Sequence, residues 1–313
     1  MKKRKLKIQG IIIICIVVLV IIISLFLVIK HINYTKTYDY KLNKIGYNEK
    51  EINTLKKELK EKQLDKLLEQ EYNKQIPKLI KEKYFMFENL NKYLKYIKDN
   101  KDKNLSDVIA IINVGADSEF YKNTKETDTE KNELMLVNKY NYLTKDYNPE
   151  DLEIFSNQYA YGDNQSLRKI AYDAYISMFH AAKKDGYTLI VNSSYRSYNE
   201  QTEIYDNYSS WYGEEKALKI AAKPGYSEHQ TGLAVDIQSY CSQKKGFEEC
   251  GEFTWLSKNA YKYGFILRYP DGLEYLTGYN YESWHYRYVG KEAAKYILDN
   301  NITFDEYYAY FVE

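Results

Sequence analysis

Ser227-Glu228-His229-Gln230-Thr231-Gly232-Leu233-Ala234-Val235-Asp236 is the stretch on which the reading of this chain turns. A histidine and an aspartate stand seven positions apart across a glycine-bearing turn. Ala234–Ile237 is apolar enough to read as a strand, so Asp236 lies on that strand and His229 in the turn before it. Further along comes Glu282-Ser283-Trp284-His285. Two imidazoles and one carboxylate make a three-ligand set for a catalytic zinc ion, whose fourth position is left for water. Glu282 stands three residues before a ligand, close enough in sequence to take a proton from that water. Bound zinc lowers the pKa of water from about 16 to about 7, which makes the deprotonation feasible for a carboxylate. Each half alone is weak, because a His-to-Asp spacing of seven arises by chance and a lone ExxH is common. The two remaining histidines carry less: His31 follows an apolar run, and His180 falls in a helical stretch where a satisfied core or surface histidine is the plain reading.

Working outward, Tyr187–Asn192, Phe265–Arg268 and Trp284–Tyr288 read as further short strands. Helical periodicity covers Ser166–Lys184, Tyr198–Asp206, Glu214–Ala222, Thr254–Tyr263 and Lys291–Leu298. Upstream, the β-branched run Val108–Val114 reads as a strand and Leu134–Val137 as a second candidate. Asn148-Pro149-Glu150-Asp151 is a turn or helix start. Helices and short strands alternate unevenly, which predicts an α+β fold with a small, mostly antiparallel sheet.

At the metal-ligand candidates the sequence resembles the bacterial zinc D,D-carboxypeptidases of the VanY type, within the wider LAS group of peptidoglycan peptidases. The resemblance rests on SxHxxGxAxD and ExWH and is extended by Ser194-Tyr195-Arg196-Ser197-Tyr198 with Gln201, Pro224-Gly225-Tyr226-Ser227, Gly264–Tyr269 and Trp284–Gly290. It covers about Asp107 to the end of the chain. It implies that His229, Asp236 and His285 bind zinc and that Glu282 is the general base and later the acid. It implies too that Arg196, Gln201 and Ser227 meet the substrate. A planar guanidinium suits a terminal carboxylate and equally suits the oxyanion of a tetrahedral intermediate, so both roles stay open for Arg196. The alternatives are a surface salt bridge for Arg196, a helix-surface residue for Gln201 and a turn hydroxyl for Ser227. Many family members carry proline where this chain has Ser283, a departure expected to loosen the backbone beside Glu282. The resemblance implies release of a C-terminal D-alanine from peptidoglycan stem peptides. L,D-carboxypeptidase trimming of tetrapeptide stems and a non-catalytic wall-binding protein on the same fold are the alternatives.

The N-terminus bears on location. Ile11–Ile29 has no charge and only Ser24 as a polar residue, and nineteen residues at about 1.5 Å rise nearly span a hydrocarbon core of about 30 Å. Lys2, Lys3, Arg4, Lys5 and Lys7 precede it, which places residues 1–10 in the cytoplasm and the rest outside. A cleaved signal peptide would have a shorter apolar region ending in small residues, and Val28-Ile29-Lys30-His31 offers no such site. The expectation is an uncleaved signal anchor at 11–29, a helical stalk at 30–105 and a catalytic domain at 106–313 facing the cell wall. In the stalk Ile52, Leu55, Leu59, Leu64, Leu67 and Leu68 recur at helical spacing, but Lys62 and Lys66 break the heptad, so a long coiled coil is not expected. Pro77 starts or breaks one of its helices.

Cys15 lies in the apolar run, whereas Cys241 and Cys250 form a disulfide candidate in an exported domain, the alternative being two unpaired thiols. Hydrophobic residues at 44% and charged residues at 28% exclude a wholly disordered or collagen-like chain. Lys+Arg 45 against Asp+Glu 44 leaves a net charge of +1, so a nucleic-acid partner is not expected. No protein partner is named by composition, and the 36 tyrosines carry no functional claim.

Overall fold

Two units, Met1–Ser106 and Asp107–Glu313, divide the chain. The structure, a computed structural model, describes residues 2–313. The side chains of residues 2–6, 8 and 9 lie outside the described set, and with them the basic groups of Lys2, Lys3, Arg4 and Lys5.

In the first unit, helix α1 (Lys2–Thr35) contains the 26-residue span Gly10–Thr35, whose most apolar 18-residue window has a mean hydropathy of 3.8 and whose apolar side chains are exposed. By length and composition it can cross a membrane. Short helices follow: α2 (Tyr38–Ile45), α3 (Glu49–Glu58), α4 (Glu61–Leu67), α5 (Ile76–Leu79) and α6 (Leu90–Asp99). Asn48 and Glu51 cap α3 reciprocally, and Pro77 sits in the first turn of α5, where its missing N–H is no loss. Each helix is too short to persist alone in water. Tertiary burial supports them instead, with Leu42, Leu55, Leu67, Ile76 and Leu79 fully buried.

Helix α7 (Leu105–Asn113) runs across the boundary at Asp107 and corrects the strand expected at Val108–Val114. Val108–Ile112 are all buried, and an apolar run enclosed on every side suits a core helix as well as a core strand. Tertiary burial overrides the β-branched propensity here. Next come β1 (Lys125–Glu126) and β2 (Asn141–Tyr142), paired parallel, then β3 (Leu152–Ile154) and β4 (Ser166–Arg168), paired antiparallel. No strand forms at Leu134–Val137 among the described residues, a second correction. Carbonyls there serve side chains instead of a ladder: Arg287 donates to the oxygen of Met135, and Thr127 Oγ1 to that of Leu136.

The remainder builds the main sheet and its cover: α8 (Lys169–Lys184), β5 (Ile190–Ser193), α9 (Tyr198–Tyr212), α10 (Glu214–Ile220), β6 (Ala234–Gln238), α11 (Gly251–Asn259), β7 (Phe265–Leu267), α12 (Glu274–Thr277), β8 (His285–Tyr288), α13 (Lys291–Asn300) and α14 (Phe304–Phe311). The sheet has four strands in the order β5-β6-β8-β7, all antiparallel, as expected of the α+β class. Strand alternation sorts its side chains into two faces. Val235, Ile237, Tyr286 and Tyr288 join Tyr175, Met178 and Phe179 of α8 and Leu256 of α11 in one core. Each large apolar side chain buried in this way stabilises the fold by about 1.5–3 kcal/mol. Asp236, His285 and Arg287 fall on the opposite face, and register pairs Asp236 directly with His285. Cys241 and Cys250 are disulfide-bonded, with Cα atoms 5.9 Å apart. Closing so short a loop stabilises by about 2.7 kcal/mol in the chain-entropy model. Cys15 is a free thiol on α1.

Candidate active site

The polar face of the sheet forms the floor of a cleft of about 450 Å³. His229 reaches it from a 3-10 turn, Glu228–Thr231, that ends at Gly232 with φ +68°. A Cβ at Gly232 would stand 3.0 Å from Arg168 Cγ and 3.1 Å from Leu152 Cδ2, so the tight return into β6 needs glycine. That turn folds His229 back over Asp236 and closes the seven-residue spacing.

Three donor atoms converge. His229 Nε2 lies 3.5 Å and His285 Nδ1 3.3 Å from Asp236 Oδ1. Ligand atoms bonded at about 2.0–2.1 Å around a tetrahedral ion are about 3.3 Å apart, so both spacings match those around a small divalent cation, and all three atoms lie within 4.8 Å of one another. Among the described residues, His229 Nε2 and Asp236 Oδ1 are buried with no aligned hydrogen-bond partner. An ion at their common focus would satisfy both.

The outer contacts decide which ring nitrogen faces inward. His229 Nδ1 donates to the backbone carbonyl of Ser194 at 2.6 Å, a group that can only accept, which leaves Nε2 as the free lone pair. His285 is oriented the other way, with Nε2 toward Glu228 Oε2 at 3.5 Å and Nδ1 toward the focus. Burial lowers the pKa of His229, helped by Arg196 and opposed by Asp236, to about 4, which keeps the ring neutral as a ligand must be. Burial acts to lower His285 as well, but the nearby carboxylates of Asp236 and Glu228 outweigh it and raise the ring to about 9, so a metal at the focus would have to displace that proton. Asp236 is pushed up by burial yet held well below the usual carboxylate range by His229 and His285.

Glu282 completes the floor, with Oε2 3.4 Å from His285 Nδ1. Burial raises its pKa to about 7, with His285 and Arg196 opposing and Asp236 assisting. A carboxylate poised there exchanges protons at neutral pH. Its backbone N–H donates to the Tyr269 carbonyl at 3.1 Å. The expected loosening by Ser283 meets a counterweight: this residue is buried, and its hydroxyl donates to Glu248 Oε2 at 2.8 Å. A side-chain tether stands where proline would restrict the backbone.

Arg196 follows β5 and lines the cleft, its backbone N–H donating to the His229 carbonyl at 3.2 Å. Its Nη1 donates to Gln201 Oε1 at 2.7 Å, and Gln201 Nε2 donates in turn to the Ala222 carbonyl at 2.8 Å. The Arg196 Nε is buried without a partner among the described residues, a donor available to an anion. Ser227 also lines the cleft and is buried. His180 stands elsewhere, on α8, with its Nε2 3.5 Å from the Tyr159 hydroxyl. All seven expected site residues thus border one cavity, and the two other histidines do not.

Glu228 was missed from the sequence. Its side chain is fully buried under the floor, with Oε1 accepting from Arg268 Nε at 2.8 Å and Arg287 Nη1 at 3.1 Å. Arg268 Nη1 also binds Asp305 Oδ2 at 2.6 Å. Burial would raise Glu228, but Arg268 and Arg287 hold it below the usual carboxylate range. Two arginines inside otherwise apolar strand motifs were the available signal.

The VanY family profile, D-alanyl-D-alanine carboxypeptidase, matches residues 164–291. A D-alanyl-D-alanine carboxypeptidase of Enterococcus faecalis is 38% identical over 192 residues, covering 58% of this chain and 68% of that one. This chain belongs to the VanY family. A second relative, YodJ of Bacillus subtilis (strain 168), which is named as a carboxypeptidase, is 45% identical over 207 residues, 61% of this chain and 75% of its own. Among solved structures, the LdcB LD-carboxypeptidase aligns at TM-score 0.57 and 45% identity, covering 60% of this chain and 91% of its own. A Zn(II) complex of the D,D-pentapeptidase VanY from a VanB-type resistance cassette aligns at TM-score 0.50 and 37% identity, covering 56% and 98%. VanY-family membership makes this chain a carboxypeptidase-type hydrolase, and the expected zinc agrees with the ion in that neighbour.

Proposed function

We propose that the protein is a membrane-anchored zinc carboxypeptidase that removes the C-terminal D-alanine from peptidoglycan stem peptides. The convergence of His229, Asp236 and His285 beside Glu282 in one cleft carries this reading. Zinc held by the three ligands would supply Lewis acidity and an acidified water. Glu282 takes the proton from the attacking water and returns it to the departing amine, a task suited to a carboxyl that titrates near neutrality. Arg196, held by Gln201, offers its unpartnered Nε and its remaining N–H groups to the chain-end carboxylate or to the developing oxyanion. The apolar helix at Gly10–Thr35, the one of membrane-spanning length among the described residues, supports an anchor, with the basic N-terminus inside and residues 106–313 on the wall side.

The 45% identity to an LD-carboxypeptidase favours a second reading, removal of D-alanine from tetrapeptide stems. Zinc-loaded full-length protein in detergent, given defined tetra- and pentapeptide stems, separates the two. Release of D-alanine from the pentapeptide alone is the expected result. Release from the tetrapeptide alone assigns L,D-specificity, and no release from either overturns the enzymatic reading.

A further inference from the structure

Helix α9 extends the cleft away from its floor. Gln201, Ile204, Tyr208 and Trp211 all line the cavity and recur at three- and four-residue spacing, so one stripe of the helix forms the wall. Gln201 stands at the chemical end, bonded to Arg196. Ten positions farther, at about 1.5 Å each, Trp211 lies about 15 Å along the axis. The residue is 68% exposed at the rim, so packing does not account for it. Tyr208 contacts it edge-on at 6.0 Å and also packs against Tyr212 at 5.9 Å.

An extended peptide advances about 3.3–3.6 Å per residue, so this wall measures about four residues. A carboxypeptidase has one residue on the leaving side of the scissile bond. Only the upstream part of a substrate is long enough to follow the wall to its end. We propose that Trp211 is a specificity residue contacting the amino-terminal end of the stem and the sugar to which that end is joined, through the apolar face of the ring. The inference rests on the stem-peptide reading above and adds a length requirement to it.

The test compares a disaccharide pentapeptide with a blocked tripeptide ending in D-Ala-D-Ala, using zinc-loaded full-length protein in detergent. Trp211→Ala is expected to lower kcat/KM for the disaccharide substrate about tenfold, through KM, and to leave the blocked tripeptide within about twofold. Trp211→Phe should restore most of the loss. Equal losses on both substrates, or none on either, overturn the proposal. Calorimetric affinity for both ligands in a Glu282→Gln background reads the contact without turnover. If the parent protein cleaves neither ligand, the D,D-carboxypeptidase reading falls by itself. The contact is then supported by about tenfold weaker binding of the disaccharide ligand alone in Trp211→Ala, and equal affinities overturn it.

Discussion

The cleft floor and the ion layer beneath it hold two buried glutamates that behave oppositely. Glu282 faces the cavity, and its pKa is raised to about 7 because burial outweighs its cationic neighbours. Glu228 is buried at least as deeply, yet Arg268 and Arg287 hold it ionised. Depth alone therefore does not decide a carboxyl's state; the number of cations in contact does. The lower layer is a fixed scaffold of charge that orients His285, and the upper layer is free to exchange a proton.

Glu282→Gln keeps size and removes proton affinity. It should reduce kcat by about 10³–10⁴-fold while zinc content, measured by metal analysis, stays at one per chain. A mild effect would erase the functional contrast between the layers. Arg268→Met leaves Glu228 and Asp305 buried with one partner fewer, and should lower unfolding free energy by about 3–5 kcal/mol in urea titrations. A loss under 1 kcal/mol would show that the lower layer is not a scaffold. The third outcome is smaller. Activity falls on the acid side as Glu282 is protonated, and Arg196 is among the groups that lower its pKa. Arg196→Met should therefore move the acid limb of kcat/KM to higher pH, beyond any loss of rate, in a pH–rate profile. A limb that stays in place or moves to lower pH would remove Arg196 from the electrostatics of the base.

Legibility differed between these layers for a physical reason. Asp236 and His285 stand out because apolar strands rarely carry such groups without a task, and His229 and Glu282 are found by their short spacing from them. Glu228 hid between Ser227 and His229, where nothing local tells a buried anion from a solvated turn residue. Its partners lie 40 and 59 positions away. The four sheet strands were readable from short apolar runs, whereas Val108–Ile112 misled because a fully enclosed helix and a fully enclosed strand share one apolar signature. Leu134–Val137 misled because its carbonyls are taken by side chains from elsewhere in the chain.

Asp236 and His285 are neighbours across adjacent strands, one ligand on each. Insertion or deletion of one residue within either strand reverses its parity, turning the ligand into the core and a Val or Tyr toward the cavity. Segments joining the strands, such as residues 239–264, face no such rule. Length change during divergence should therefore collect in connections, while strands β6 and β8 admit substitution but no change in count.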